Sequence, residues 1–329
     1  MAGTKAQTAV QGLLQTRVLT VLLRNQTIFM TLFLLGMCAV FAQISPYFFS
    51  RSNLLSITVQ ASVICMIAAG QTFVILSGGI DLGCGSIVAL AAVIAAMVME
   101  HTDLMLPGFA AGIAVGAGCG VLNGFAIGKL ELPPFVSTLG MMGIARGAAL
   151  IVSHGVPQYK LAPGSDVLGQ GSVQGLPVPT IVVFVVYALC HAILTRTKRG
   201  RYTYAVGSNP QATMLCGISL CTQLLWIYTI AGIAAGLAGI TELSRVGSGQ
   251  PAAGADYALD SIAAVVLGGT SLQGGVGNIW GTLIGGLIIA SLRNGLNVMN
   301  INAHWQQVTI GVILILAVYS DRVHNQMRK

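Results

Sequence analysis

TRTKRGRYTYAVGSNPQATMLCG, residues 195–217, is the longest clearly polar and basic interruption in a chain that otherwise reads as membrane. Arg196, Lys198, Arg199 and Arg201 stand within it, four of the chain's 16 lysines and arginines. Apolar runs resume on both sides, at 177–194 and 224–243. Basic residues beside a span mark the cytoplasmic side, because short positively charged loops are not readily translocated. The loop at 195–221 is therefore expected to face the cytoplasm.

Its second half has a design of its own. Asn209 suits the N-cap of a short helix and Pro210 its first position, where the missing N–H costs nothing. Gly217 suits the left-handed residue past the C-terminus. So short a helix is marginal alone in water, so something is expected to pack on it. The pattern leaves open whether that is the protein's own inner surface or a cytoplasmic partner.

Outward from this loop, composition sets the class. The chain is 55% hydrophobic and 8% charged, with 42 glycines and a mean hydropathy of +0.82. A soluble domain has about 25% charged residues, so this is an integral membrane protein with the lipid bilayer as its solvent. The net charge of +7 sits mainly in the termini and the central loop. It follows from orientation and makes no case for nucleic acid. The seven cysteines form no CxxC pair, so neither a zinc site nor a redox pair is expected. The polar, basic start lacks the apolar core and cleavage site of a signal peptide.

The fold expected is all-α with about ten transmembrane helices and both termini cytoplasmic. Residues 1–27, with Lys5, Arg17 and Arg24, form a tail, 28–320 a single polytopic domain, and 321–329 a second tail. Spans are expected at 28–44, 57–76, 87–99, 104–127, 133–152, 177–194, 224–243, 255–272, 279–296 and 306–319. The third is short for a bilayer crossing of about 20 residues and spans only if it begins around Asp81. Outer loops are expected at 45–56, 100–103, 153–176, 244–254 and 297–304. Gly108, Gly112, Gly116, Gly120, Gly124 and Gly128 recur every fourth residue, a stripe on one helix face where another backbone can approach closely. GGIDLGCG (78–85) and GGTSLQGG (268–275) share GGxxLxxG, a weak internal repeat of the kind that marks helix breaks in transporters.

No GxxxxGK[ST] phosphate loop is present, so the chain is not expected to bind or hydrolyse ATP itself. HExxH and GxSxG are absent too, and an enzyme is not expected. Ionisable groups at membrane depth default to functional candidates, which singles out Asp81 and Arg146. Asp81 either caps the helix after it or lines the pathway, and Arg146 needs a carboxylate, a carbonyl or water. Asn294 and Asn297 join them as tentative pathway residues, with Arg293 read as snorkelling to the interface. Glu242 and Arg245, three apart on a helix, read as a local ion pair.

At these residues the chain is similar to a known family. GQTFVILSGGIDLGCGSIVAL (70–90), PPFVSTLGMMGIARGAALI (133–151), GRYTYAVGSNPQATMLCGI (200–218) and LGGTSLQGGVGNIWGTLIGGLII (267–289) occur in that order. Together they resemble the permease subunits of bacterial ATP-binding-cassette sugar importers, over roughly residues 25–322. The resemblance implies a multi-pass protein of the bacterial inner membrane, paired with a second permease chain as homodimer or heterodimer. It implies a periplasmic binding protein on the outside and ATPase subunits, carrying ATP and Mg, docked on a coupling loop. Arg201, Asn209, Pro210, Gln211, Ala212 and Gly217 fall in that segment. Members commonly have Ser-Val where this chain has Gly83-Cys84, and charged residues where it has Pro210, Gln211 and Met214. Docking here is thus expected to rest on shape and apolar contact. The cargo implied is a monosaccharide, with autoinducer-2, nucleosides and amino acids carried by relatives. A self-sufficient secondary transporter is the rival.

Overall fold

The structure, a computed structural model, describes residues 26–327, and these are overwhelmingly helical. In chain order the helices are α1 (Gln26–Ile44), α2 (Arg51–Leu76), α3 (Cys84–Thr102), α4 (Met105–Gly128), α5 (Pro134–Val152), α6 (Val167–Gln170), α7 (Val178–Arg196), α8 (Lys198–Ser208), α9 (Pro210–Leu215), α10 (Leu220–Val246), α11 (Tyr257–Leu267), α12 (Ile279–Val298) and α13 (Ala303–Met327). A two-residue hairpin, Ser172–Val173 with Leu176–Pro177, interrupts the long outer loop. Expectations resting on Lys5, Arg17, Arg24, Arg328 and Lys329 fall outside the described residues.

Among the described residues eight helices are long and apolar enough to cross a membrane, and the eighth and tenth expected spans correspond to shorter apolar stretches, Tyr257–Leu267 and Ala303–Leu316. The chain is an all-α, multi-span membrane protein. The third span begins at Cys84 and runs to Thr102, absorbing most of the expected 100–103 turn, with Asp103 left-handed at its end. The helix of the last span continues to Met327, into the expected 321–329 tail.

Helix α2 is the centre of the bundle. Ser50 caps its start by accepting from the Asn53 N–H, and from Ala61 to Leu76 every residue is buried. Gly70 lets α10 approach, since a Cβ there would stand 2.8 Å from the Ala231 Cα. On another side Thr72 and Thr282 of α12 share a hydrogen bond of 2.9 Å. The Tyr187 hydroxyl of α7 donates to the Cys65 carbonyl at 3.0 Å.

The glycine stripe of α4 faces two neighbours. A Cβ on Gly116, Gly120 or Gly124 would stand 2.8, 2.9 and 2.6 Å from the α carbons of Gly236, Thr229 and Leu225 on α10. Gly128 meets Cys221 at the same helix, whereas Gly108 meets Met99 and Gly112 meets Ile240 and the Ala91 carbonyl of α3. Without a hydrophobic force between helices in lipid, such close packing is what holds them.

The eighth span departs most from expectation. A helix of 11 residues rises only ~16 Å, about half a bilayer. The chain before it supplies the rest: Gly249 abuts Ala92 and Ala96 of α3, and Gly254 abuts Gly85. Residues 249–254, expected outside, therefore run down alongside α3 as irregular backbone. Such backbone is tolerated at membrane depth only where protein or a cavity satisfies it. Here Gly249 exchanges hydrogen bonds with Gln158 at 2.8 and 2.9 Å.

Candidate functional site

The basic loop folds into two successive short helices. Thr197 starts α8 by accepting from the Gly200 N–H at 3.0 Å. Asn209 ends α8 and starts α9, its Oδ1 accepting from the Ala212 N–H at 2.9 Å. Pro210 stands at the first position of α9, and Gly217 is left-handed at φ 78°. The outer face of α9 carries little that the chain itself covers: Met214 is 52% and Leu215 90% exposed. Arg201, Gln211, Ala212 and Gly217 are likewise exposed, and Arg201 makes no ion pair among the described residues. Only Thr213 of α9 is buried.

Behind this helix three segments meet backbone to backbone. The Gly275 N–H, in the second glycine-rich break, donates to the Leu76 carbonyl at the end of α2, 2.9 Å away. Gly207, two residues before Asn209, closes the junction. A Cβ there would collide with the Leu76 carbonyl oxygen and stand 2.6 Å from the Gly275 nitrogen. Gly274 in turn lies against Gly207 and the Gly78 nitrogen. The two GGxxLxxG breaks thus sit side by side, and α8 is wedged against both. Tyr204, one turn back, donates its hydroxyl to the Gly277 carbonyl at 3.1 Å. Burial raises the pKa of that hydroxyl, which keeps it a donor. A cavity of about 860 Å³ opens beside the junction, its wall including Gly78, Gly79, Glu131, Met214, Leu224 and Tyr228. The Tyr228 hydroxyl, buried beside Gly79, has no hydrogen-bond partner among the described residues.

The remaining candidates are scattered. Asp81 is buried in the first break, where its Oδ1 accepts from the Gly83 N–H at 2.8 Å and so serves the start of α3. Arg146 on α5 donates to the Pro251 carbonyl at 2.6 Å, which satisfies part of the irregular backbone before α11. Asn294 forms a reciprocal amide pair with Asn53, at 2.9 and 3.0 Å. Asn297 accepts from Gln306 at 2.6 Å. These four do not converge on one cavity. Arg293 does not snorkel: its guanidinium pairs with Asp260 of α11 at 2.6 Å. Glu242 and Arg245 form their local pair, and the Tyr257 hydroxyl adds a bond to Glu242 at 3.1 Å.

Asp260 carried a signal that the sequence reading passed over, an acid within an apolar run of the same kind as Asp81. Gly207 carried none, one glycine among 42, distinguished only by the carbonyl it faces.

Long apolar helices, two glycine-rich breaks and a half-helix make up a polytopic bundle with interrupted spans, an arrangement common in transporters. The comparisons agree: the chain belongs to the family described as branched-chain amino acid transport system / permease component, whose model matches residues 53–318. It is 40% identical over 292 residues to the ribose import permease protein of Escherichia coli K12, covering 88% of this chain and 91% of that one. To the ribose import permease protein of Bacillus subtilis it is 41% identical over 282 residues, 85% and 87% of the two chains. The D-allose transport system permease protein of E. coli K12 is 37% identical over 296 residues, 89% and 91%. No solved structure matches the chain. It is accordingly a multi-pass inner-membrane homologue of ATP-binding-cassette sugar permeases.

Proposed function

We propose that this chain forms the membrane pathway of an importer for a monosaccharide. A periplasmic binding protein delivers the sugar, and a second permease chain, identical or not, completes the pathway. Separate ATPase subunits, holding ATP and Mg, dock on α9 and drive transport. The observation that carries this is the capped helix α9. It leaves Leu215 bare at the end of the bundle expected to face the cytoplasm, and it starts three residues after Gly207, which joins both helix breaks backbone to backbone. Met214 and Leu215 together make an apolar tip on this helix that a docked subunit would cover. The chain needs few converging polar side chains if the binding protein selects the cargo. The names of the relatives, ribose, D-allose and fructose permeases among them, favour a monosaccharide over autoinducer-2, a nucleoside or an amino acid.

Gentle detergent purification of the tagged chain from its host tests the class. A stoichiometric ATPase subunit should accompany the wild type and be lost or uncoupled in Gly217→Asp. That substitution puts a Cβ on a left-handed residue and a charge on the docking face. Sugar uptake by the chain with no ATPase companion would mean a self-sufficient secondary transporter instead.

A further inference from the structure

Ser52, Ser56 and Gln60 follow one another at four-residue spacing and so share one face of the outer end of α2. With Leu55, Val59 and Arg245 they line a cavity of about 410 Å³. Most hydroxyls on the helices of this bundle bond back to the carbonyl of the preceding turn, as Thr58, Ser62 and Thr72 do. Ser52 and Ser56 are exposed and Gln60 is half-buried, so their hydroxyls and amide face the cavity mouth and are open to a ligand as well as to water. Each is both donor and acceptor.

Arg245 completes the wall in an unusual state for a basic residue at a cavity. Its Nε and Nη2 both donate to Glu242 Oε2, at 3.1 and 2.7 Å. The Tyr257 hydroxyl holds the other carboxylate oxygen at 3.1 Å. The guanidinium is thus fixed in place and its charge is matched, while Nη1 keeps no acceptor among the described residues. A wall with matched charge gives an ionic ligand little to gain. Hydroxyls, an amide and one free guanidinium edge, flanked by Leu55 and Val59, suit a molecule with hydroxyls on its rim and C–H groups on its faces. The volume falls at the lower end of the ~300–1,000 Å³ of small-molecule sites.

From this we infer that Ser52, Ser56, Gln60 and Arg245 form an outward-facing contact site for an uncharged, polyhydroxylated ligand of monosaccharide size. The site rests on the import reading and gives it a point of entry. Tyr257 is the first residue of the half-helix α11. The Glu242 that fixes Arg245 is therefore bonded to the start of that half-helix.

Two measurements test it. In the complete importer, reconstituted in proteoliposomes with labelled D-ribose and D-allose as probes, Gln60→Leu should leave ATPase association and ATP hydrolysis unchanged. Uptake should fall about tenfold, the loss of one or two hydrogen bonds to the sugar. Wild-type uptake in that variant overturns the site. The second needs no ATPase: Ser56→Cys in the purified permease, modified by a membrane-impermeant methanethiosulfonate and read by peptide mass. Excess D-ribose or D-allose should slow this modification, and Gln60→Leu should abolish the protection. Modification indifferent to sugar, or slowed only by the binding protein whether or not sugar is present, overturns the site. Loss of the ATPase from the purified complex counts against the import reading alone and leaves the protection result standing.

Discussion

At the inner end of the bundle the joints are backbone against backbone: Gly207 on the Leu76 carbonyl, Gly274 on Gly78, Gly275 bonded to Leu76. Farther out, side-chain pairs join the helices as well, beside backbone contacts such as Gly249 with Gln158. Arg293 pairs with Asp260, Asn294 with Asn53, and Glu242 with both Arg245 and Tyr257. The two kinds of joint yield differently. Backbones in van der Waals contact meet steep repulsion and cannot rotate away, so a displacement of one is passed to the other. Side-chain pairs can separate, turn and take water or a ligand in exchange. A joint of the first kind is suited to pass on a displacement, and one of the second kind to exchange partners.

Substitutions can break or sharpen this contrast. The largest effect is expected from Gly116→Leu, which forces a branched side chain into backbone contact with α10. The folded permease should not be recovered as a monodisperse species in detergent. Normal recovery would mean that the α4–α10 contact tolerates separation. Asp260→Asn comes next. It leaves the Arg293 guanidinium without its carboxylate and should cost about 2–3 kcal/mol, below the range for a fully buried pair because the Arg293 side chain is 27% exposed. A lowered unfolding midpoint in detergent would show it. The smallest effect is expected from Asn294→Ala, which removes one amide pair and should cost about 1 kcal/mol. Combined with Asn209→Ala at the cytoplasmic cap, its effect should add, since the two sites share no partner. Strong non-additivity would show the two ends to be coupled in the resting state.

Much of this was legible from residues 195–217 and the apolar runs around them. Asn209, Pro210 and Gly217 specify a short helix by local capping chemistry, and α9 starts at Pro210 and ends just before Gly217. Helix α8 is hidden in the sequence because Gly200 and Gly207 speak against a helix and only the Thr197 cap speaks for one. The half-helix α11 was hidden for a different reason. Hydropathy sees composition, and residues 249–254 descend beside α3 as irregular chain whose polar groups are met by Gln158 and Arg146 from far away in sequence. The pathway candidates were chosen for the cost of burying them. Asp81, Arg146, Asn294 and Asn297 each meet that cost through a separate partner, and only the fold reveals which partner that is.

If docking on α9 drives transport, the Gly207 junction is where a movement of α9 would reach both breaks. The most direct test is the ratio of sugar taken up to ATP hydrolysed in proteoliposomes, compared between wild type and Gly207→Ala. Only preparations that still co-purify with the ATPase subunit would be compared, with Tyr204→Phe as the milder variant. The account predicts continued ATP hydrolysis with uptake reduced about tenfold or more in Gly207→Ala, a loss of at least 1.4 kcal/mol of coupling, and an intermediate ratio in Tyr204→Phe. An assembled Gly207→Ala importer with the wild-type ratio would contradict it.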